Sequence, residues 1–284
     1  MPSPSFQNLR VLILESRRST EMATLVSTFG GRPQSAPALR EVPIEANVEA
    51  RAFADRLRRG DFDVVVFLTG VGLRALLAVV DGDGGRESFV AALARTRIVA
   101  RGPKPLAVLR ELGLAPWITA PEPNTWRELL AALDAVGTRA LEGLRMAVQE
   151  YGTSPAALLD GLKARGVHVV QVPVYRYSLP DDLAPLQAAV TAIVSGEVDV
   201  AIFTTATQVM HLLQVADAMR QGSAVREGLR RVVIASIGPT TSEELREQGL
   251  EIDIEASHPK IGFLVREAAD RGPALVRAKR ASEI

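Results

Sequence analysis

Short apolar runs, several rich in β-branched residues, alternate along the chain with stretches whose apolar positions recur at helical spacing. The first kind reads as strands buried on both faces, the second as amphipathic helices. Strands are predicted over 11–14, 64–68, 97–100, 145–149, 169–174, 198–203 and 232–236. Helices are predicted to end near Phe29, Val80, Arg165 and Ala218, and to cover 48–58, 87–94, 106–112, 126–136, 181–195 and 262–269. The stretch 32–43, broken by Pro33, Pro37 and Pro43, reads as a connection or an irregular strand, and 81–85 as a surface loop. Residues 272–284 read as a frayed polar tail. Strands alternating with helices predict an α/β chain with mainly parallel sheets.

One joint stands out. Ile234-Ala235-Ser236-Ile237 reads as a buried strand end, Gly238-Pro239 as a sharp turn needing the positive φ that Gly tolerates, and Thr240-Thr241 as caps of the next helix. Such a turn presents hydroxyls and free backbone N–H groups at the sheet edge where α/β proteins bind ligands. The same joint occurs earlier. Residues 98–114 match 234–250 at eight of 17 positions, and 61–80 match 197–216 at seven of 20, both at an offset of 136. A shared offset in two separate blocks predicts two similar α/β units rather than one barrel. Facing turns would then form a cleft, with 69–72 and 102–105 from one unit and 204–207 and 238–241 from the other.

The 284 residues suffice for two cores. Thirty-three acidic and 33 basic residues balance, so no global field attracts nucleic acid or an anionic membrane. No apolar run is long enough for a signal h-region or a membrane span, and there is no cysteine. That excludes a thiol nucleophile, thiolate metal sites and disulfides, and fits a cytoplasmic protein. His168, His211 and His258 are far apart, with no spacing for a metal, so solvated or packing roles are expected. There is no Gly-x-Ser-x-Gly, Walker loop or complete Gly-x-Gly-x-x-Gly, because the third glycine position after Gly70-Val71-Gly72 is Ala75.

What remains is anion chemistry. Thr69, Thr153, Ser154, Thr204, Thr205, Thr207, Thr240 and Thr241 fall at predicted helix starts, where hydroxyls and amides suit carboxylates or phosphates and equally suit plain capping. Arg17, Arg101, Lys104 and Arg176 lie near strand ends. The three tyrosines, Tyr151, Tyr175 and Tyr177, lie at strand ends or beside the connection between units, where core packing is an equal reading.

These residues carry a resemblance to the uroporphyrinogen-III synthase family. Its carriers are Phe-Leu-Thr-Gly-Val-Gly-Leu-Arg-Ala-Leu at 67–76, Val-Tyr-Arg at 174–176, Asp-Val-Ala-Ile-Phe-Thr-Thr at 199–205 and Ile-Gly-Pro-Thr-Thr-Ser-Glu-Glu-Leu-Arg-Glu-Gln-Gly-Leu at 237–250. The resemblance covers about residues 9 to 270. It implies two similar flavodoxin-like parallel-sheet domains joined by a two-stranded linker with N-terminal segment exchange. Residues 1–43 would join 177–284, and 44–176 would form the other domain, with the active-site cleft between them. Pro43 and Tyr175 would lie in the linker strands.

The implied reaction closes hydroxymethylbilane, a linear tetrapyrrole, into uroporphyrinogen III, inverting the last ring and losing water. It needs no metal or organic cofactor. Tyr175 matches the family's linker tyrosine and would donate the proton to the leaving oxygen. The substrate's carboxylates would be held by Thr69, Gly70, Gly72, Arg101, Lys104, Tyr151, Thr153, Ser154, Thr204, Thr205, Gly238, Thr240 and Thr241. The implied partners are this substrate alone, handed over by hydroxymethylbilane synthase, with no nucleic acid, no membrane and a monomeric state. Two departures bear on the roles. Pro105 stands where the family often has a hydroxyl, and Glu15-Ser16-Arg17 where it commonly has Thr-Arg-Pro. Other readings of the same fold are a catalytically silent two-lobed binding or sensor module and a flavodoxin-like scaffold with another ligand. The lack of a helix-turn-helix or secretion signal argues against a fused regulator or a periplasmic receptor.

Overall fold

The computed structural model describes residues 3–44, 47–82, 84–137, 140–150 and 156–281. The chain runs β1 (Arg10–Ile13), α1 (Ser19–Thr28), β2 (Arg32–Ser35), β3 (Arg40–Pro43), α2 (Val48–Arg58), β4 (Val64–Phe67), α3 (Gly70–Gly82), α4 (Arg86–Ala94), β5 (Arg97–Ala100), α5 (Pro103–Glu111), β6 (Ile118–Thr119) and α6 (Trp126–Asp134). It continues through β7 (Arg145–Glu150), α7 (Ala156–Ala164), β8 (His168–Pro173), β9 (Tyr175–Ser178), α8 (Ala184–Val194), β10 (Val200–Phe203), α9 (Ala206–Ala218), α10 (Gly222–Arg231), β11 (Val233–Ser236), α11 (Pro239–Glu247), β12 (Ile254–Glu255) and α12 (Ile261–Ala281). It divides into two units: Met1–Arg40 with Ser178–Ile284, and Glu41–Tyr177. Strands β3 and β9, where the chain passes from unit to unit, pair as a separate two-stranded sheet.

Each unit holds a five-stranded parallel sheet, ordered β12-β11-β10-β1-β2 in the first and β6-β5-β4-β7-β8 in the second. In the first unit, numbering its strands in chain order gives 2-1-3-4-5 read from β2, the flavodoxin-like order. The second unit has the same spatial order with its chain starting at the third strand. N-terminal β1-α1-β2 therefore supplies to the first sheet what β7-α7-β8 supplies to the second.

The apolar runs are continuous because both faces of each sheet are covered. In the first unit Leu12, Ala201, Phe203 and Ile234 enter one core cluster, and Val11, Ile13, Val200, Ile202, Val233 and Ala235 the other. In the second, Val65, Phe67, Ile98, Ala100 and Ala147 face one way and Val64, Val66, Val99, Met146 and Val148 the other. This is the period of two expected of a pleated strand.

The repeat is longer than sequence identity shows. Helices α2 and α8, α3 and α9, and α5 and α11 start and end 136 residues apart, as do β6 and β12. The offset thus holds without a gap from Val48 to Thr119. Even the N-terminal edges match. Asp63 accepts the Arg145 backbone N–H at 2.8 Å and its guanidinium, which also reaches Gly60 O at 3.1 Å. Asp199 accepts the Arg10 N–H at 2.7 Å and its guanidinium, which reaches Gly196 O at 2.9 Å.

Several expectations are corrected. The 32–43 stretch holds two strands, because β2 pairs with β1 along its length and β3 with β9. Asp81 and Gly82 finish α3 rather than start a loop. Strands β6 and β12, two residues each, are too short to show as apolar runs, whereas helix α10 escapes the reading although its buried Val225, Gly228 and Leu229 recur at helical spacing. Residues 272–281 are not a frayed tail but the second half of α12. Gly272, Pro273 and Val276 are buried there, Lys279 Nζ donates to Val232 O at 2.9 Å, and Arg280 pairs with Asp199 at 2.7 Å.

Candidate functional site

In the 2-1-3-4-5 order, connections leave strands 1 and 3 on opposite faces and open a crevice at the carboxyl ends of those strands. The crevice lies after β1 and β10 in the first unit, and after β7 and β4 in the second.

In the first unit Thr205 caps α9. Its hydroxyl accepts the Gln208 N–H at 3.3 Å, and Gln208 Oε1 reaches back to the N–H groups of Thr204, at 2.7 Å, and Thr205, at 3.3 Å. Gln208 Nε2 donates to Thr204 Oγ1 at 2.8 Å, and that hydroxyl donates to Glu15 Oε2 at 2.5 Å. Glu15 Oε1 accepts the N–H groups of Arg17 and Arg18, at 3.1 and 3.3 Å. The Arg18 guanidinium pairs with Glu21. Thr204, Thr205 and Glu15 are all half-buried.

Next along the edge is the Gly238 turn, which corrects two expectations. Gly238 has φ 160°, ψ −175°, an extended backbone, and a methyl group there meets nothing nearer than Pro259 Cβ at 3.7 Å. Helix α11 starts at Pro239 with Gly238 as N-cap and no side-chain cap, so Thr240 and Thr241 lie within its first turn. Thr240 is exposed and Thr241 is 3% exposed. The turn is held instead by a buried serine pair. Ser242 Oγ lies 2.9 Å from Ser236 Oγ, which lies 3.1 Å from Gly238 O.

In the second unit Thr69 Oγ1 accepts the Gly72 N–H at 3.0 Å, capping α3. The Thr69 N–H points to Oε1 of Gln149, at 3.4 Å, whose buried amide comes from β7. Both glycines are steric requirements. A Cβ on Gly72 would lie 2.0 Å from Gln149 Nε2, and one on Gly70 2.7 Å from the Lys104 carbonyl oxygen. Gly102 is extended, with φ 176°, and a Cβ there would approach the Asn124 side chain to 2.8 Å. Lys104 is exposed within the first turn of α5, which begins at Pro103 rather than after a four-residue turn; Arg101 is half-buried. Tyr151, Thr153 and Ser154, which follow β7, lie outside the described residues.

Tyr175 lies in β9, 5% exposed and packed in the second unit's core with Val172 and Val174. Its ring meets that of half-buried Tyr177 edge-on at 5.7 Å. Among the histidines, His211 Nδ1 lies 2.7 Å from Ala38 O, His258 stacks on Phe263 with centroids 4.5 Å apart, and His168 is exposed in β8. Among the described residues no group of three or more His, Cys, Asp or Glu could hold a metal, and no helix is long and apolar enough to cross a membrane.

Sequence reasoning missed Glu15, Gln149 and Gln208 as parts of these turns. Gln208 had a readable signal, since Thr205-x-x-Gln208 is a capping box. Gln149 closing an apolar run was legible only as a polar residue out of pattern. Glu15 had none, because Thr204 is 189 residues away.

Comparison with known proteins agrees with this architecture. The sequence profile described as "Uroporphyrinogen-III synthase HemD" matches residues 20–266. "Uncharacterized protein YjjA" of Bacillus subtilis is 29% identical over 266 residues, 92% of this chain and 94% of its own length. A Methanothermobacter thermautotrophicus protein, provisionally named a uroporphyrinogen-III synthase, is 30% identical over 234 residues, 82% of this chain and 87% of its own. The structure of a mutant uroporphyrinogen III synthase from Thermus thermophilus aligns with a TM-score of 0.71 at 28% identity, covering 95% of this chain and 99% of that one. With the profile spanning most of the chain and the paired parallel sheets recurring in that enzyme, this chain belongs to the uroporphyrinogen-III synthase HemD family.

Proposed function

We propose that this protein cyclises hydroxymethylbilane to uroporphyrinogen III with inversion of the last pyrrole ring and loss of water. The observation that carries this reading is that each unit has, at its switch point, a strand-end turn with a threonine cap at a helix N-terminus, within a chain of the synthase family. Such turns suit carboxylates through backbone N–H groups and hydroxyls, without net positive charge on the protein. Thr69 and Gly70 in one unit, and Thr205, Gly238 and Thr240 in the other, are assigned to the substrate, with Gly72 serving through its N–H on the Thr69 hydroxyl and Arg101 and Lys104 adding charge. Thr204 serves through Gln208 and Glu15. Thr241, being buried, serves through its backbone. The chemical demand is mainly positioning, so that inverted closure outruns direct head-to-tail closure.

Tyr175 is assigned as the proton donor to the leaving hydroxymethyl oxygen, a role a neutral phenol can fill. Its 5% exposure means that this role requires the Tyr175 hydroxyl to become accessible when substrate binds. The test is an isomer-resolved chromatogram of the product formed by the pure protein from hydroxymethylbilane. Mainly type III isomer is expected, with Tyr175→Phe slower by about 10- to 100-fold, at or just below the lower end of the span for acid–base assistance. Type I product alone would overturn the reading.

A further inference from the structure

The switch point of the first unit contains a carboxylate, the wrong group for holding the carboxylates of a polyanion. Glu15 lies two residues past the end of β1, is half-buried, and is fixed by Thr204 Oγ1 at 2.5 Å and by the N–H groups of Arg17 and Arg18 at 3.1 and 3.3 Å. A carboxylate offers about four acceptor positions, and these donors use three. The neighbouring Arg18 guanidinium is engaged by Glu21, although it also feels the charge of Glu15. The counterpart in the second unit is differently disposed. By strand register Glu150 occupies the position of Glu15, and its carboxylate accepts from Gln171 Nε2 at 2.5 Å, on β8 and away from the Thr69 turn. A substrate carboxylate near Glu15 would meet like charge in a partly desolvated place; an N–H group or a developing cation would meet the opposite.

Cyclisation supplies such a cation. The C–O bond of the hydroxymethyl group breaks, and the oxygen leaves as water with a donated proton. The remaining carbon and its pyrrole then share one positive charge, carried largely on the ring N–H. Attack by the substituted carbon of the last ring moves the charge onto that ring in a spiro intermediate. The bond from that carbon to its original methylene bridge then breaks, leaving the charge on the neighbouring pyrrole. The bridge recloses at the free α-carbon of the last ring, and loss of the proton on that carbon restores neutrality.

We propose that Glu15 accepts this pyrrole N–H and stabilises the charge that develops when the hydroxymethyl oxygen leaves, so that the Glu15–Thr204 side of the first unit's crevice handles the reacting ring while carboxylates are held at the helix N-termini. This rests on the cyclase reading above.

Glu15→Gln is the test, because the amide keeps the geometry while removing the charge: its oxygen accepts from Arg17 and Arg18, and its nitrogen donates to Thr204 Oγ1. With hydroxymethylbilane as substrate, kcat is expected to fall about tenfold, the size of one partly solvated charge contact, while KM stays level or falls and Tm is unchanged. Thr204→Val disturbs the same hydrogen bonds but keeps the charge, and should lower kcat less than Glu15→Gln. An unchanged kcat in Glu15→Gln, or equal losses in both variants with a lowered Tm, would overturn the proposal while leaving the cyclase reading in place. Type I product alone from the wild-type protein would overturn the cyclase reading itself.

Discussion

At the switch point of each unit a buried carboxamide closes the turn that follows the third strand of the fold, but it arrives from opposite sides. In the first unit Gln208 sits on helix α9 and binds back to Thr204 and Thr205, while β1 contributes the apolar Leu14. In the second unit the helix position equivalent to Gln208 is Gly72, and the amide comes from Gln149 on β7, at the position equivalent to Leu14. One backbone N–H, that of Thr205 or Thr69, thus finds an amide oxygen in both halves. The need is set by burial, since an unpaired N–H at a closed strand end costs more than either amide. The supplier is free to change, provided the facing position changes with it. Gly72 is small because Gln149 fills its space.

The N-terminal edges show a smaller contrast. Asp63 and Asp199 make the same clasp with Arg145 and Arg10, but Asp199 is 6% exposed against 31%, and Arg280 from α12 pairs with it as well. Asp63 is held below the usual carboxylate range by hydrogen bonds from Arg145. For Asp199 burial pushes upward, but the side-chain and backbone hydrogen bonds of Arg10 and the charges of Arg10 and Arg280 outweigh it, so it too lies low. A lowered folded-state value means stability that is present above the unfolded value, about pH 3.9, and lost as pH falls below it.

The units should separate on removing one clasp at a time. Asp199→Ala removes a buried acceptor from the Arg10 backbone N–H and from two guanidinium groups that stay partly solvated, and should cost about 2 kcal/mol in urea unfolding. Asp63→Ala, partly solvated, should cost about 1 kcal/mol. Equal losses would mean that α12 adds nothing to the first clasp. Smaller losses are expected at the paired glycines. Gly102→Ala presses on the Asn124 side chain and should lower stability by about 1 to 2 kcal/mol, whereas Gly238→Ala, with 3.7 Å of room, should stay within about 0.5 kcal/mol. Thermal melts of the two variants check this, and the reverse order would contradict the packing described here.

Much of the fold was legible in the sequence because it rests on local patterns. Continuous β-branched runs marked the central strands, and two blocks at one offset revealed the duplication. Segment exchange was not visible in the repeat, which only says that two halves are alike; the family resemblance supplied it. The site was legible as a place but not as a set of contacts. Hydroxyls at helix starts are conspicuous, yet Thr240 and Thr241 turn out to follow an N-cap glycine rather than act as caps. The residues that shape the turns, Glu15 and Gln149, act across 189 and 80 positions, and no local spacing encodes such a contact.

That the two halves are one design with its amide moved from helix to strand is tested most directly by transplanting the first arrangement into the second unit. Gly72→Gln alone should be strongly destabilising, by about 3 kcal/mol, because the new side chain meets Gln149. Gln149→Leu alone should cost about 1 to 3 kcal/mol by orphaning the Thr69 N–H. The double variant, Gly72→Gln with Gln149→Leu, should recover at least about 1.5 kcal/mol of the summed loss in a double-mutant cycle read from urea unfolding. Simple additivity of the two losses would contradict the equivalence of the two turns.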